Sequence, residues 1–240
     1  MLRRFLSEHD TSRAEEVLRK VLGHDIEAWA LAGGLAFELR LASLQEIQSP
    51  RPLNDIDLVV ASFGSIPATL ANDFLFAHVH PHAEPGKTLV QAIDPQHALR
   101  VDIFGATPGT MARASNFVIA GNDIKVVALE DLIARTTRLV LNLSQGRQVP
   151  AKHARDFARV EPLTSDLDIE PAWQDHREAN QPARFADAHR IARELLSVNE
   201  QLLTEPVYST DPTQTCPRCE PTDSFPLADP TRVLSILGYC

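Results

Sequence analysis

The chain has 240 residues, 44% hydrophobic and 23% charged, too apolar for a disordered polymer and long enough for one large domain or two small ones. Its 23 Lys and Arg stand against 32 Asp and Glu, a formal net charge of −9, which argues against a dedicated nucleic-acid coat protein while leaving room for a local basic groove. The longest apolar run, Ala28 to Phe37, has 10 residues where a membrane span needs about 20, and the opening MLRRFLSEHD has no apolar core behind its charges, so the expectation is a cytoplasmic protein without a membrane partner.

In chain order, Ser12 and Glu15 form a capping-box pattern and predict a helix over about Arg13 to Leu22, stopped by Gly23. Trp29 to Ala32 reads as a buried strand, followed by Gly33-Gly34 and a helical stretch to about Glu46, and SPRPLN reads as a loop. Strands are predicted over Ile56 to Val60, Phe74 to Val79, Thr88 to Ile93, Leu99 to Phe104 and Ile124 to Val127. A long helix over about Leu129 to Leu143, with Glu130 and Asp131 at its positive end, is stopped by Gly146. Helices over about Ala151 to Val160 and Arg184 to Leu203 follow, separated by a break over Glu161 to Pro171. The pattern predicts an α/β chain of the α+β kind: strands and helices mixed over 1–128, a helical region over 129–204, and a Pro-rich, Cys-bearing tail over 205–240.

The chemistry concentrates in Asn54-Asp55-Ile56-Asp57-Leu58-Val59-Val60. Strand side chains alternate, so Asp55 and Asp57 point one way while Ile56, Leu58 and Val60 point into the core. Two adjacent carboxylates at a buried strand repel unless a cation sits between them, and Mg²⁺ suits an all-oxygen site that it completes with water and phosphates. In Leu99-Arg100-Val101-Asp102-Ile103-Phe104, Arg100 and Asp102 share one face. If this strand lies beside the first, Asp102 joins Asp55 and Asp57, and three carboxylates can hold two metals, or one metal plus a general base. Taken singly, each is equally a turn cap or a solvated acid. Gly33-Gly34, between strand and helix, lets a phosphate approach backbone N–H groups, or else is a tight turn.

The order strand, Gly-Gly, helix, Arg51-x-x-x-Asp55-x-Asp57 and later Asp102 on a strand resembles the nucleotidyltransferase superfamily of the DNA polymerase β type. Within it, the chain is most similar to the bacterial branch of abortive-infection, toxin–antitoxin-type and antibiotic-modifying enzymes. The resemblance implies a nucleotidyltransferase-like mixed sheet flanked by helices. It assigns triphosphate binding to Gly33 and Gly34, Mg²⁺ to Asp55 and Asp57, and metal or base duty to Asp102. Arg51 fits the family's basic position, and Leu53 departs from its small hydroxyl residue. Glu130-Asp131-Leu132-Ile133-Ala134 resembles a family helix start, although position 136, usually Lys, is Thr, with Arg135 and Arg138 nearby. Lys152-His153-Ala154-Arg155-Asp156 is similar to a basic–acidic pattern that adds Lys152 to the nucleotide contacts; its bland alternative is an exposed i, i+4 ion pair with Asp156.

Cys216-x-x-Cys219 is half of a tetrahedral zinc site, and Cys240 is a candidate third ligand for structural Zn²⁺. His78, His80 and His82 alternate along one strand end and read as an exposed edge. The combined expectation is a Mg²⁺-dependent nucleotidyltransferase. It would move a nucleoside monophosphate from a nucleoside triphosphate to a hydroxyl of an acceptor left open among RNA, protein and small molecules. The alternative is a catalytically silent protein of this fold, used as a zinc-stabilised interaction module.

Overall fold

The structure, a computed structural model, describes residues 2–26, 28–44, 52–80 and 82–204. They fall into two compact units that meet in sequence between Val127 and Ala128. Arg51, Cys216, Cys219 and Cys240 lie outside the described residues.

The first unit opens with α1 (Glu8–Gly23), longer than its sequence pattern indicates. Its N-cap is Ser7, whose hydroxyl accepts from the Asp10 N–H at 3.0 Å, while Ser12 lies inside the helix and donates back to the Glu8 carbonyl at 3.1 Å. The Ser12–Glu15 pattern is therefore not the cap. β1 (Trp29–Ala32) leads directly into α2 (Gly33–Ala42), and β2 (Asp55–Val60), β3 (Leu75–Val79), β4 (Thr88–Asp94) and β5 (Leu99–Gly105) follow. A short α3 (Thr110–Arg113) and the hairpin β6 (Ser115–Ile119) and β7 (Asn122–Val126) complete the unit. β6 escapes the sequence reading because its turn is Ala120-Gly121, with φ of 49° and 81°, and Ala is a poor signal for a left-handed turn position.

The strands form one seven-stranded mixed sheet in the order β3-β4-β5-β2-β1-β7-β6. β2 runs parallel to β5 and antiparallel to β1. One sheet face is apolar: Ile56, Leu58, Val60, Val101 and Ile103 are at most 1% exposed, and Val21 of α1 meets Leu58, Val101 and Ile103 there. α1 is also tied to the β4–β5 turn. Lys20 donates to the buried Asp94 at 2.6 Å, and Arg13 donates to the His97 carbonyl. Burial alone would raise the Asp94 carboxyl, but the Lys20 bond and the His97 N–H outweigh it and hold its pKa below the ordinary value. α2 is pinned by Arg40, which donates to the Val127 and Val126 carbonyls at 2.8 and 2.6 Å and lies over the Phe117 ring.

The second unit is helical: α4 (Leu129–Val140), α5 (Ala151–Val160), α6 (Glu170–His176), α7 (Phe185–Ser197) and α8 (Gln201–Thr204). α4 ends earlier than its pattern suggests and continues as a tight turn to Gln145, capped by Gly146 at φ 68°. α6 starts at the end of the break read over Glu161 to Pro171 and runs on through residues for which the sequence predicted no element; it buries Trp173, whose ring N–H donates to the Pro182 carbonyl at 3.0 Å and whose ring meets Phe185 edge-on. Asp131 is buried in the first turn of α4 and bonded to His176 at 3.0 Å, so it serves in packing as well as at the helix dipole. α7 stops at Ser197 because Ser197 and Asn199 bond back to the Glu194 and Leu195 carbonyls, which divides the single helix expected from the sequence. Among the described residues, no helix is long and apolar enough to cross a membrane.

The cap assignment has a direct check. Ser7→Ala should lower stability by about 1 kcal/mol in denaturant unfolding, and Ser12→Ala by less than about half of that.

Candidate functional site

Parallel pairing of β2 with β5 places Asp55 opposite Arg100 and Asp57 opposite Asp102. Register partners on adjacent strands share a face, so all four side chains stand on the face opposite the apolar core. Asp55, Asp57 and Asp102 each offer a carboxylate oxygen within 4.8 Å of the others, and no other such group of three or more His, Cys, Asp or Glu occurs among the described residues. Asp57 and Asp102 are buried and Asp55 is half-buried.

Arg100 lies among these carboxylates. Its terminal nitrogen donates to Asp55 Oδ2 at 2.7 Å, and its Nε is 3.1 Å from Asp102 Oδ2 without the alignment of a hydrogen bond. Burial works against the guanidinium charge, but Asp102, Asp55 and Asp57 together outweigh it and push the Arg100 pKa above its ordinary value. Asp102 is instead shifted toward its neutral form. Burial, then the charge of Asp57, raises its pKa from 3.8 to about 7; Asp55 adds to this, while Arg100 and the Gln91 amide pull against it. Asp102 Oδ1 is buried without a hydrogen-bond partner. Three carboxylates gathered beside the Arg100 guanidinium repel one another, and a bound cation would relieve that repulsion. The all-oxygen donor set and the orphaned Oδ1 fit a hard cation such as Mg²⁺.

The glycine pair divides in role. Gly33, at the β1–α2 junction, has φ +59°, and a Cβ there would lie 1.6 Å from Asp57 Oδ2. Glycine is thus required at 33 twice over, by backbone conformation and because the Asp57 carboxylate occupies the space. Gly34 follows in the first turn of α2 and has no positive φ. Lys152 lies in the helical unit on α5, half-buried and without an ion pair among the described residues, and Asp156 is buried, so the exposed Lys152–Asp156 pair does not form.

Three neighbours of the carboxylates went unassigned in the sequence. Arg100 carried a visible signal, two residues before Asp102 and hence on its face. Gln91 is 7% exposed and is the one uncharged polar residue inside the otherwise apolar Leu89–Ile93 run of β4. His78 is fully buried, not on an exposed edge, because a bulge between Phe76 and His78 skips one residue of β3 and sets His78 opposite Gln91.

No protein-family model matches the chain, and no curated protein matches it. Among solved structures, it is similar to the crystal structure of an antigenic nucleotidyltransferase-like protein from Paracoccidioides brasiliensis, at 16% identity and a TM-score of 0.44 over 83% of this chain and 93% of that one. A likeness at that level carries no argument about activity.

Two outcomes follow from the geometry. In an unfolded chain Asp102 releases its proton near 3.8 and in the fold near 7, so between those values the native state binds the extra proton and stability falls as pH rises. Metal-free wild type should therefore lose stability relative to Asp102→Asn across that window in chemical denaturation with a chelator. Parallel curves would place the Asp102 carboxyl back in its ordinary range. Separately, Gly33→Ala should cost about 2–5 kcal/mol through backbone strain and overlap with Asp57. Gly34→Ala, in a helix at an ordinary φ, should leave stability within about 1 kcal/mol of wild type.

Proposed function

We propose that the protein is a metal-dependent nucleotidyltransferase, moving a nucleoside monophosphate from a nucleoside triphosphate to an acceptor hydroxyl. The observation that carries this reading is the convergence of Asp55, Asp57 and Asp102, whose carboxylate oxygens lie within 4.8 Å of one another beside Arg100. The sequence resemblance built on Gly33-Gly34 and Asp55-x-Asp57 agrees with it.

In this reading Asp55, Asp57 and Asp102 hold Mg²⁺, which when bound neutralises phosphate charge and orients the reacting oxygens. The buried Asp102, beside Asp57, takes the proton of the acceptor hydroxyl. The acceptor oxygen then forms a bond to the α-phosphorus, the bond to the bridging oxygen breaks, and pyrophosphate leaves with its electron pair. Arg100 holds Asp55 in place and offsets the negative charge that the site carries between turnovers. Gly33 leaves the space in which Asp57 stands, and the start of α2 offers N–H groups to the triphosphate. Arg51 and Lys152 enter as phosphate contacts on the resemblance alone. The carboxylate site needs no zinc.

The test is incubation of the purified protein with each α-labelled nucleoside triphosphate, Mg²⁺ and a cell extract, followed by separation of RNA, protein and small molecules. Transfer of label to one fraction is expected. Asp57→Asn should reduce it by roughly 100-fold or more, since such charge stabilisation is worth several kcal/mol. No transfer from any nucleotide, or transfer unchanged in Asp57→Asn, would sink the assignment and favour a silent member of the fold.

A further inference from the structure

The polar row on the open face of the sheet does not stop at the carboxylates. Asp57 on β2 is opposite Asp102 on β5, Asp102 is opposite Gln91 on β4, and Gln91 is opposite His78 on β3. Four successive strands thus carry one line of polar side chains, and all four are less than 9% exposed. His78 closes the end of the row, its ring stacked on His80 with centroids 5.7 Å apart.

Within this row, Gln91 holds a distinctive position. It stands directly beside Asp102 in the register, and one of its polar atoms is the amide carbonyl oxygen. That oxygen, Oε1, is buried and has no hydrogen-bond partner, and the same holds for Oδ1 of Asp102 on the adjoining strand. Two buried oxygens on adjoining strands, neither with a partner, are costly. With Asp102 ionised, as it must be to hold a cation, neither can donate to the other, and the Arg100 terminal nitrogen is engaged with Asp55. A donor is missing from the ionised site.

We infer that Gln91 is a positioning residue for the bound cation, holding it from its hydration shell: beside the Asp102 carboxylate, its Oε1 accepts a hydrogen bond from a water on the metal. The inference rests on the reading of the carboxylates as a metal site. Mg²⁺ keeps several of its waters when proteins bind it, and those waters are strong donors that need acceptors fixed in place. Partners of this kind orient the ligands, and their loss typically weakens metal binding by about 10–100-fold.

The test uses Mn²⁺ alone, without nucleotide, titrated into the full-length protein and followed by the electron paramagnetic resonance of free Mn²⁺. Melting temperatures in chelator serve as the control for folding. Gln91→Met keeps the length and removes both polar atoms, and Gln91→Glu restores an acceptor oxygen. The expected result is Mn²⁺ affinity down by about 10–100-fold in Gln91→Met and at or above wild type in Gln91→Glu, with Asp57→Asn losing binding. Wild-type affinity in Gln91→Met while Asp57→Asn has lost it would overturn the role of Gln91 and leave the metal site standing. So would an affinity in Gln91→Glu as weak as in Gln91→Met. Indistinguishable binding in wild type, Gln91→Met and Asp57→Asn would overturn the metal site itself. Should Gln91→Met fail to fold, the comparison of wild type with Gln91→Glu decides.

Discussion

The parallel register of β2 on β5 sets Asp57 directly against Asp102, and much of the site follows from that pairing. Each strand buries an alternating apolar set, Ile56, Leu58 and Val60 on one and Val101 and Ile103 on the other, so the register cannot slip by one residue without turning those side chains out of the core. The hydrophobic core thereby holds two carboxylates at a distance they would not choose. Their repulsion appears in the raised pKa of Asp102 and in the presence of Arg100 beside them. Arg100 is two residues before Asp102 and opposite Asp55, so the same register that creates the repulsion also delivers the counter-charge.

The surrounding strands build the rest of the site with equally local devices. β1 runs antiparallel to β2 with Ala32 opposite Asp57, and the chain must leave the strand at the next residue to begin α2. Only a residue without Cβ can make that exit, since Asp57 fills the space. On the other flank, the bulge in β3 turns His78 toward the carboxylate face; unbulged, Ala77 would stand there and the imidazole would point into the apolar core. A bulge beside a polar site re-aims one side chain at small cost, and here it lengthens the polar row by one strand.

What the sequence made legible follows from how local each signal is. The Asp-x-Asp alternation and the apolar face of β2 need only period two, and they locate Asp55 and Asp57 on one side of the strand. The joining of Asp102 to them depends on which strand lies beside β2, which no local pattern states; the two strands are separated by β3, β4 and their turns. The first cap was misplaced because Ser12 with Glu15 satisfies the same pattern as a true N-terminus, and the preceding Glu8-His9-Asp10 carries no apolar residue to announce a helix. β6 and α6 were missed for opposite reasons. β6 is mostly exposed behind an Ala-Gly turn, and α6 is only 7 residues long and opens with Pro171 in a stretch that reads as a loop. The burial of His78 lay beyond any reading by alternation, because a bulge breaks the period on which alternation depends.

Physical cost distinguishes a working site from an inherited one. A sheet with one fully apolar face could carry Asn or Thr at 57 and 102 and escape the repulsion, yet it keeps both carboxylates, buries them, and leaves Asp102 Oδ1 and Gln91 Oε1 without donors. Each of these features costs stability in the fold as it stands, and a cation bound among them would offset that cost. Binding that satisfies buried groups left unsatisfied in the free protein is strong for that reason, since the stability forgone in the free state reappears as affinity. The first unit is thus a frame whose core fixes the three carboxylates side by side, with Arg100 set against Asp55 and Asp102.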